Sequence, residues 1–412
     1  MWQRIRLRLW SFFQRVSWRL THRRAHWPPA RVPDTDWREA WEARRAQRRQ
    51  EREQRRSERR ERDRASFGEE LWGAAEPHRT AALDEARLQR FNLPILRTER
   101  DLAEWLGIPL SRLRWFTHDK PADRVWHYVR YEIPKRGGGR RVILAPKREL
   151  KALQRKVLDG LLAQVPASGS AHGFARGRSI VTNAQPHVGK EVILNLDLKD
   201  FFPSVIFPRV RGLFIALGYA FPVASTLALL CTEHEREAFD RDDVRYYISV
   251  GARSLVQGAP TSPALANMAA WRLDRRLEGL ARKHGFAYTR YADDLTFSGG
   301  EAGAALRILD SAQRIIRDEH FEVNADKTRL YRRSSRQMVT GLVVNDGLNT
   351  PRRLRRRLRA ILHNARRTGL EAQNREGRAD FRAQLAGQIG FVQMANAKQA
   401  ARLKEALRSL AW

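Results

Sequence analysis

The chain has 412 residues, with 78 Lys plus Arg against 46 Asp plus Glu and a formal net charge of +32. That length allows two or three domains and an ample core, and the excess, nearly all arginine, points first to a polyanion partner and second to an anionic membrane surface. A single cysteine, Cys231, excludes an internal disulfide and any cysteine-rich zinc site, and fits a reducing cytosol.

In chain order, residues 1–27 place Trp2, Ile5, Leu9, Phe12, Phe13, Val16 and Leu20 at helical spacing among arginines, which predicts a basic amphipathic helix. Arginines at 4, 6 and 8 interrupt any apolar stretch, so no signal peptide is expected. Residues 38–64, REAWEARRAQRRQEREQRRSERRERDR, are nearly free of apolar side chains and read as a solvated charged helix or as disorder. A domain boundary is expected over residues 65–90. YEIPKRGGGRRVILAP (131–146) then predicts two strands around a basic Gly-rich turn, followed by an amphipathic helix. EVILNLDLKDFFPSV (191–205) opens as a buried strand and breaks at Phe202-Pro203. LFIALGYAFPVASTLALLC (213–231) is uncharged and long enough to suggest a membrane span. Gly218 and Pro222 break it, however, so two short buried helices and a soluble protein are expected. VRYYISV predicts a strand, TSPALANMAAWRLDRRLEGLARKHG one long helix stopped by Gly285, and YTRYADDLTFSG (288–299) a hairpin. After Thr350-Pro351, an N-cap and N1 pair, an arginine-rich helix sets Leu354, Leu358, Ile361 and Leu362 on one face.

An Asp-Asp pair in a turn is ordinarily just solvated. Asp197 changes that reading, because it is the one acid in the apolar run ILNLDL, and a buried carboxylate needs a partner or a metal. Acids presented from two adjacent strands suit two magnesium ions, which prefer oxygen ligands and accept bound phosphate. Two metals about 3.5–4 Å apart would stabilise the attacking and leaving oxygens of phosphoryl or nucleotidyl transfer.

The succession LDLKDFFPS, QGAPTSP opening a helix, YADD on a hairpin and NADKT resembles the palm of a reverse transcriptase, and the likeness runs from about residue 95 to the C-terminus. The resemblance implies an α+β, right-hand polymerase fold with a basic helical or disordered N-terminal extension. Residues 1–90 would form that extension, 91–190 the fingers, 191–335 the palm with interleaved finger elements, and 336–412 the thumb. It makes Asp197 and Asp293 the main ligands of two Mg²⁺ ions, with Asp294 second. Phe202 would crowd the sugar 2′ position, or simply pack in the core. Gln257 and Gly258 would line the incoming deoxynucleotide, and Arg140 or Arg141 would grip its triphosphate. Lys327 would protonate the departing pyrophosphate, unless it is a surface lysine.

NAQPH (183–187) and VTGLVVN (339–345) resemble segments of the retron branch. Asn183, His187, Val339, Thr340 and Gly341 are thereby expected at the cognate RNA, with a loop clip to backbone groups as the alternative for Asn183 and His187. His172 and Gly173 in AHGFARGRS resemble a template-side loop shared with group II intron relatives. LAGQIGFV (385–392) resembles a helix whose glycines lie against the duplex, though helix packing would explain them equally. The resemblance implies an RNA-directed DNA polymerase that binds its structured noncoding RNA and an RNA–DNA duplex. It would prime from a 2′-hydroxyl and make single-stranded DNA in anti-phage defence. An effector protein encoded elsewhere, no membrane and a cytoplasmic location go with it. A group II intron protein, a defence-associated polymerase and an RNA-binding protein with a decayed palm stay open as alternatives.

Overall fold

The computed structural model describes residues 46–47, 50, 81–120, 122–134, 138–241 and 244–410. The chain divides into two units, Met1–Ser66 and Phe67–Trp412. The helix expected over 1–27, nearly all of the charged segment 38–64 and the turn residues 135–137 lie outside the described residues. All that follows concerns the second unit.

Three short helices come first: α1 (Glu85–Arg90), α2 (Glu99–Leu106) and α3 (Leu110–Thr117). A reciprocal capping box between Thr98 and Asp101 starts α2, and Gly107 at φ +73° ends it. After β1 (Ala122–Asp123), the alternating residues of YVRYEIP and RRVILAP pair as the antiparallel strands β2 (Tyr128–Pro134) and β3 (Arg140–Pro146). Helix α4 (Arg148–Gly160) buries Leu150, Leu153 and Val157 along one stripe. Helix α5 (Ile180–Ala184) precedes β4 (Val192–Lys199), which is apolar on both faces and therefore central.

The membrane-like run folds as two buried helices, α6 (Phe207–Ala216) and α7 (Phe221–Cys231). Gly218 turns the chain between them at φ +114°, and a Cβ there would meet the Asp84 carbonyl oxygen at 2.6 Å. No helix among the described residues is long and apolar enough to cross a membrane. Strands β5 (Glu233–Arg241) and β6 (Val244–Ser254) follow, and β6 also pairs β1. The segment expected as one helix is two, α8 (Ser262–Ala269) and α9 (Trp271–Lys283), with Ala270 at φ −86°, ψ 0° between them.

Strands β7 (Ala287–Tyr291) and β8 (Asp294–Gly299) form the hairpin, and α10 (Ala302–Asp318), β9 (Glu322–Val323) and β10 (Arg329–Arg332) follow. The main sheet has the order β10-β4-β8-β7, antiparallel throughout, with β9 added on β4. Helices α9 and α10 cover it. After the short pair β11 (Met338–Val339) and β12 (Leu342–Val343), the helices α11 (Arg352–Thr368), α12 (Phe381–Ala395) and α13 (Ala397–Arg408) form a bundle with its own core. Leu358, Leu362, Leu385, Ile389, Val392 and Leu403 there are at most 4 % exposed. Each such burial contributes about 1.5–3 kcal/mol, so the bundle holds together while one face of α11 stays arginine.

Candidate active site

Strand pairing brings the three expected carboxylates to one end of the main sheet. Asp197 on β4 stands directly opposite Asp294 on β8, and Tyr291 pairs Asp294 to close the hairpin. Ala292 and Asp293 are thus the turn itself, so the opposite-face rule for strand neighbours does not separate Asp293 from Asp294. Ala292 sits at φ +58°, a left-handed conformation that disfavours a side chain. The Leu198 amide donates to the Asp293 carbonyl at 2.9 Å, and the Asn324 amide donates to the Asp197 carbonyl at 2.8 Å.

Like charges opposite one another are unfavourable, and the carboxyls register it. Burial first, then the Asp197 charge, lifts Asp293 above its ordinary pKa, while Lys327 and Arg141 pull the other way. Asp294 is pushed up to about 6, by burial and then by Asp293 and Asp197. Solvent reaches the surface of Asp294, but protein atoms ring its carboxyl closely. The Lys327 ammonium lies 3.0 Å from both oxygens of Asp197, which is itself 6 % exposed.

The neighbouring residues sort by face. Arg140 and Arg141 alternate along β3, and Arg140 turns to Glu132 at 3.1 Å. Arg141 is the one whose charge reaches Asp293. Phe202 is half-buried, with its ring 5.7 Å from Phe201 and 6.1 Å from Phe174. The Leu144 amide of β3 donates to the Gln257 carbonyl at 2.8 Å. Gly258, at φ +116°, lies so close that a Cβ would meet the Leu144 oxygen at 2.7 Å. Gln257-Gly258 therefore anchors the β2–β3 hairpin beside the carboxylates.

Beneath the turn lies a network that sequence reasoning missed. Arg290 and Asp274 are both 0 % exposed and form a two-point ion pair, Nε and Nη2 each donating at 2.7 Å. Tyr288 donates its hydroxyl to the same carboxylate at 2.9 Å. Arg290 Nη1 donates to Asn267 Oδ1 at 2.9 Å and to the carbonyl of left-handed Ala292 at 3.1 Å. Asn267 donates onward to the Gly173 carbonyl at 2.9 Å. A Cβ on Gly173 would meet the Ala292 nitrogen at 2.5 Å, so the His172-Gly173 loop bears directly on the turn. The available signal was an arginine inside the strand YTRY and an acid on the apolar stripe of WRLDRRLEGL.

Three of the residues expected at the RNA are enclosed by protein. Asn183 and His187 are 1 % and 0 % exposed, and Val339 is 1 % exposed, so none of the three presents a side chain to a partner. His187 is clipped between the hydroxyls of Ser298 at 2.7 Å and Thr289 at 2.8 Å. These are side chains, not the backbone groups expected. Burial lowers the imidazole to about 3 and keeps it neutral. Thr340 donates to the Ile180 carbonyl at 3.1 Å, and exposed Gly341 follows at φ +82°.

Among the described residues, no three His, Cys, Asp or Glu side chains are drawn together as a ready metal cage. The donor set still fits a hard divalent cation: all-oxygen ligands whose mutual repulsion is offset in part by a backbone hydrogen bond at Asp293 and by the charges of Lys327 and Arg141. Magnesium characteristically uses one or two carboxylates together with water and substrate phosphates, so a preformed cage is not required.

Comparison with known proteins gives a consistent result. The family model for reverse transcriptase (RNA-dependent DNA polymerase) matches residues 133–344. The chain is 53 % identical over 321 residues to the retron Mx65 reverse transcriptase of Myxococcus xanthus, covering 78 % of this chain and 73 % of that one. It is 42 % identical to the retron Mx162 reverse transcriptase of the same organism, over 77 % of this chain and 67 % of that one. Identity to the retron Ec86 reverse transcriptase of Escherichia coli is 36 %, over 68 % and 82 % of the two chains.

Proposed function

Given that the chain belongs to the retron reverse transcriptases, RNA-directed DNA polymerases of right-hand α+β fold, we propose that it binds a cognate structured noncoding RNA and copies part of it into single-stranded DNA. The observation that carries the site is the convergence of Asp197, Asp293 and Asp294 at one end of the sheet, where burial and like charge raise the carboxyls of Asp293 and Asp294. Reverse transcriptases generally use divalent metal ions, and Asp197 and Asp293, with Asp294 second, would hold two Mg²⁺ ions here. Bound there, the ions would stabilise the charge on the attacking and leaving oxygens of nucleotidyl transfer.

The chain's own residues supply the rest of this reading. Arg141, on the same side as Asp293, draws in the triphosphate by charge, whereas Arg140 is taken up by Glu132. Phe202 stands at the sugar and excludes a 2′-hydroxyl by bulk. Gln257 and Gly258 form the wall on which the nucleotide lies. Lys327, whose ammonium stands 3.0 Å from Asp197, is the proton donor for departing pyrophosphate.

Thr340 and Gly341 are the members of the Val-Thr-Gly segment left at the surface for RNA. Gly387 and Gly390 have open space where a Cβ would stand, which supports reading them as room for a closely approaching duplex rather than as helix packing. Priming from an RNA 2′-hydroxyl, a role in anti-phage defence and an effector protein complete the proposal by likeness to the retron branch.

Asp293→Asn combined with Asp294→Asn tests the site. Primer extension should vanish while RNA binding persists, and retained extension would overturn the assignment. Sequencing the nucleic acid that copurifies tests the rest. Short DNA branched from RNA supports it; intron RNA or untemplated DNA does not.

A further inference from the structure

A cavity of about 450 Å³ opens between the segment that follows α4, the end of α6, helix α8 and the first residue of α9. That volume lies within the range of about 300–1,000 Å³ usual for small-molecule sites. Leu158, Leu162, Leu217 and Met268 make its walls apolar, and the rings of Phe91, Phe174 and Trp271 border it. Neither an aspartate nor a glutamate lines it, and none of Arg141, Phe202, Gln257 and Lys327 does, so it is separate from the carboxylate site. Apolar walls with no atoms against them forgo dispersion contacts that an occupant would restore.

Two facts make it more than a packing gap. The first is charge. The charged residues that line it are Arg176 and Arg178, both exposed. Neither has a carboxylate at ion-pair distance among the described residues, and Arg178 donates only to the His172 ring, at 3.4 Å. Apolar walls with two cations free of acid beside them suit a molecule with an apolar body and an anionic group. The second fact is connection. Asn267, in the wall, donates to the Gly173 carbonyl at 2.9 Å and accepts from Arg290 Nη1 at 2.9 Å, the nitrogen that also holds the Ala292 carbonyl. Ala171, another wall residue, forms a bridge with Arg290 of β7. Phe174 holds φ +59°, a costly conformation for a bulky side chain, and is 51 % exposed with its ring 6.1 Å from Phe202. The walls thus lead directly to the turn that carries Asp293 and to the Phe202 ring.

We propose that this cavity is a regulatory site for a small aryl anion, a molecule with a planar apolar body and one acidic group, whose binding acts on polymerisation through Asn267 and Phe174. The body lies among the leucines and rings, and the acidic group meets Arg176, with Arg178 beside it. An occupant touches Asn267 and Phe174 without entering the carboxylate site. It therefore lowers the rate of extension without competing with deoxynucleotide or primer–template.

The test uses the full chain and anilinonaphthalene sulfonate, a planar aryl anion that fluoresces in apolar surroundings. Titrated into the wild type, the probe should bind saturably. Ala264→Phe puts a ring into the cavity from α8 and should weaken binding about tenfold or more. Arg176→Glu, at an exposed position, should weaken it about threefold to tenfold, and decides the matter if the first variant does not fold. Saturating probe should slow single-turnover primer extension by the wild type, and neither more deoxynucleotide nor more primer–template should restore the rate. At the same probe concentration each variant should lose far less of its own rate. Equal probe affinity in the wild type and Arg176→Glu overturns the inference. So does inhibition that deoxynucleotide or primer–template relieves, or undiminished extension by the saturated enzyme. The binding measurement needs no polymerase activity, so its outcome is separate from that of the catalytic assignment.

Discussion

Replacing Asp274 by Asn removes one charge from a pair that water does not reach. Arg290 and Asp274 are each 0 % exposed, and the carboxylate accepts three hydrogen bonds, two from the guanidinium and one from Tyr288. The guanidinium cannot shed its proton, so the single variant leaves a full buried charge without its counter-ion. That costs about 3–5 kcal/mol, a large part of the 5–15 kcal/mol typical of a whole domain. Asn preserves the shape and some hydrogen bonding, which places it at the lower end; Ala falls at the upper end. Exchanging both partners, Asp274→Leu with Arg290→Met, removes the charge problem and should be markedly more stable than either single variant. The same double exchange removes the donor that holds the Ala292 carbonyl at 3.1 Å. Stability and activity should therefore part company: recovered urea resistance, but poor primer extension per folded molecule. Urea unfolding followed by tryptophan fluorescence gives the first quantity and single-turnover extension the second. A urea midpoint for Asp274→Asn equal to wild type would refute the reasoning, as would full activity in the double exchange.

Three further outcomes are expected. Asp294 titrates near 6 in the folded chain against 3.8 ordinarily. Its contribution to stability is complete below the unfolded value and is lost as pH rises through about 6; added divalent cation should offset that loss, and metal affinity should weaken as pH falls through the same range, as Mn²⁺ titrations at two pH values will show. His187 has the opposite sign, since its folded value of about 3 lies below the ordinary 6.5. Its contribution is present above 6.5 and disappears as pH falls toward 3. His187→Phe should cost about 1–3 kcal/mol by orphaning two hydroxyls, yet leave RNA affinity of the folded protein unchanged. Gly387→Ala and Gly390→Ala should each raise stability by up to about 1 kcal/mol, because a Cβ at either meets nothing, and each should weaken duplex binding. Thermal melts with duplex titrations check both halves, and unchanged duplex affinity would remove the reason for the glycines.

Much of the site was legible because carboxylates are conspicuous against an apolar background: Asp197 inside ILNLDL, and the pair after YA. The two short helices at 207–231 were legible through Gly218, and the first helix of the C-terminal bundle through its leucine spacing. What failed to show was whatever depends on a partner far along the chain. His187 looks like any polar loop residue until Thr289 and Ser298 close on it from another hairpin. Arg290 reads as one polar position in an alternating strand until Asp274 arrives from a helix. Strand β5, EHEREAFDR, gave no apolar alternation because most of its residues face solvent. That Arg140 has an acid partner could not be read without the fold, which sets Glu132 of the neighbouring strand beside it.

The central position of β4 has a bearing on how the molecule is made. Its neighbours β8 and β10 are synthesised long after it, and Lys327 reaches Asp197 from 130 residues further on. Pairing across such separations is slow, because loop closure precedes any reward from contact. While the chain emerges from the ribosome, β4 is an apolar strand with both edges bare, the kind of segment that invites aggregation. The acid at position 197 then acts as a gatekeeper, adding to Asn195 and Lys199 a charge inside an otherwise mostly apolar strand. A chain released before residue 327 has that acid but lacks its lysine, so a truncated product cannot assemble the finished site.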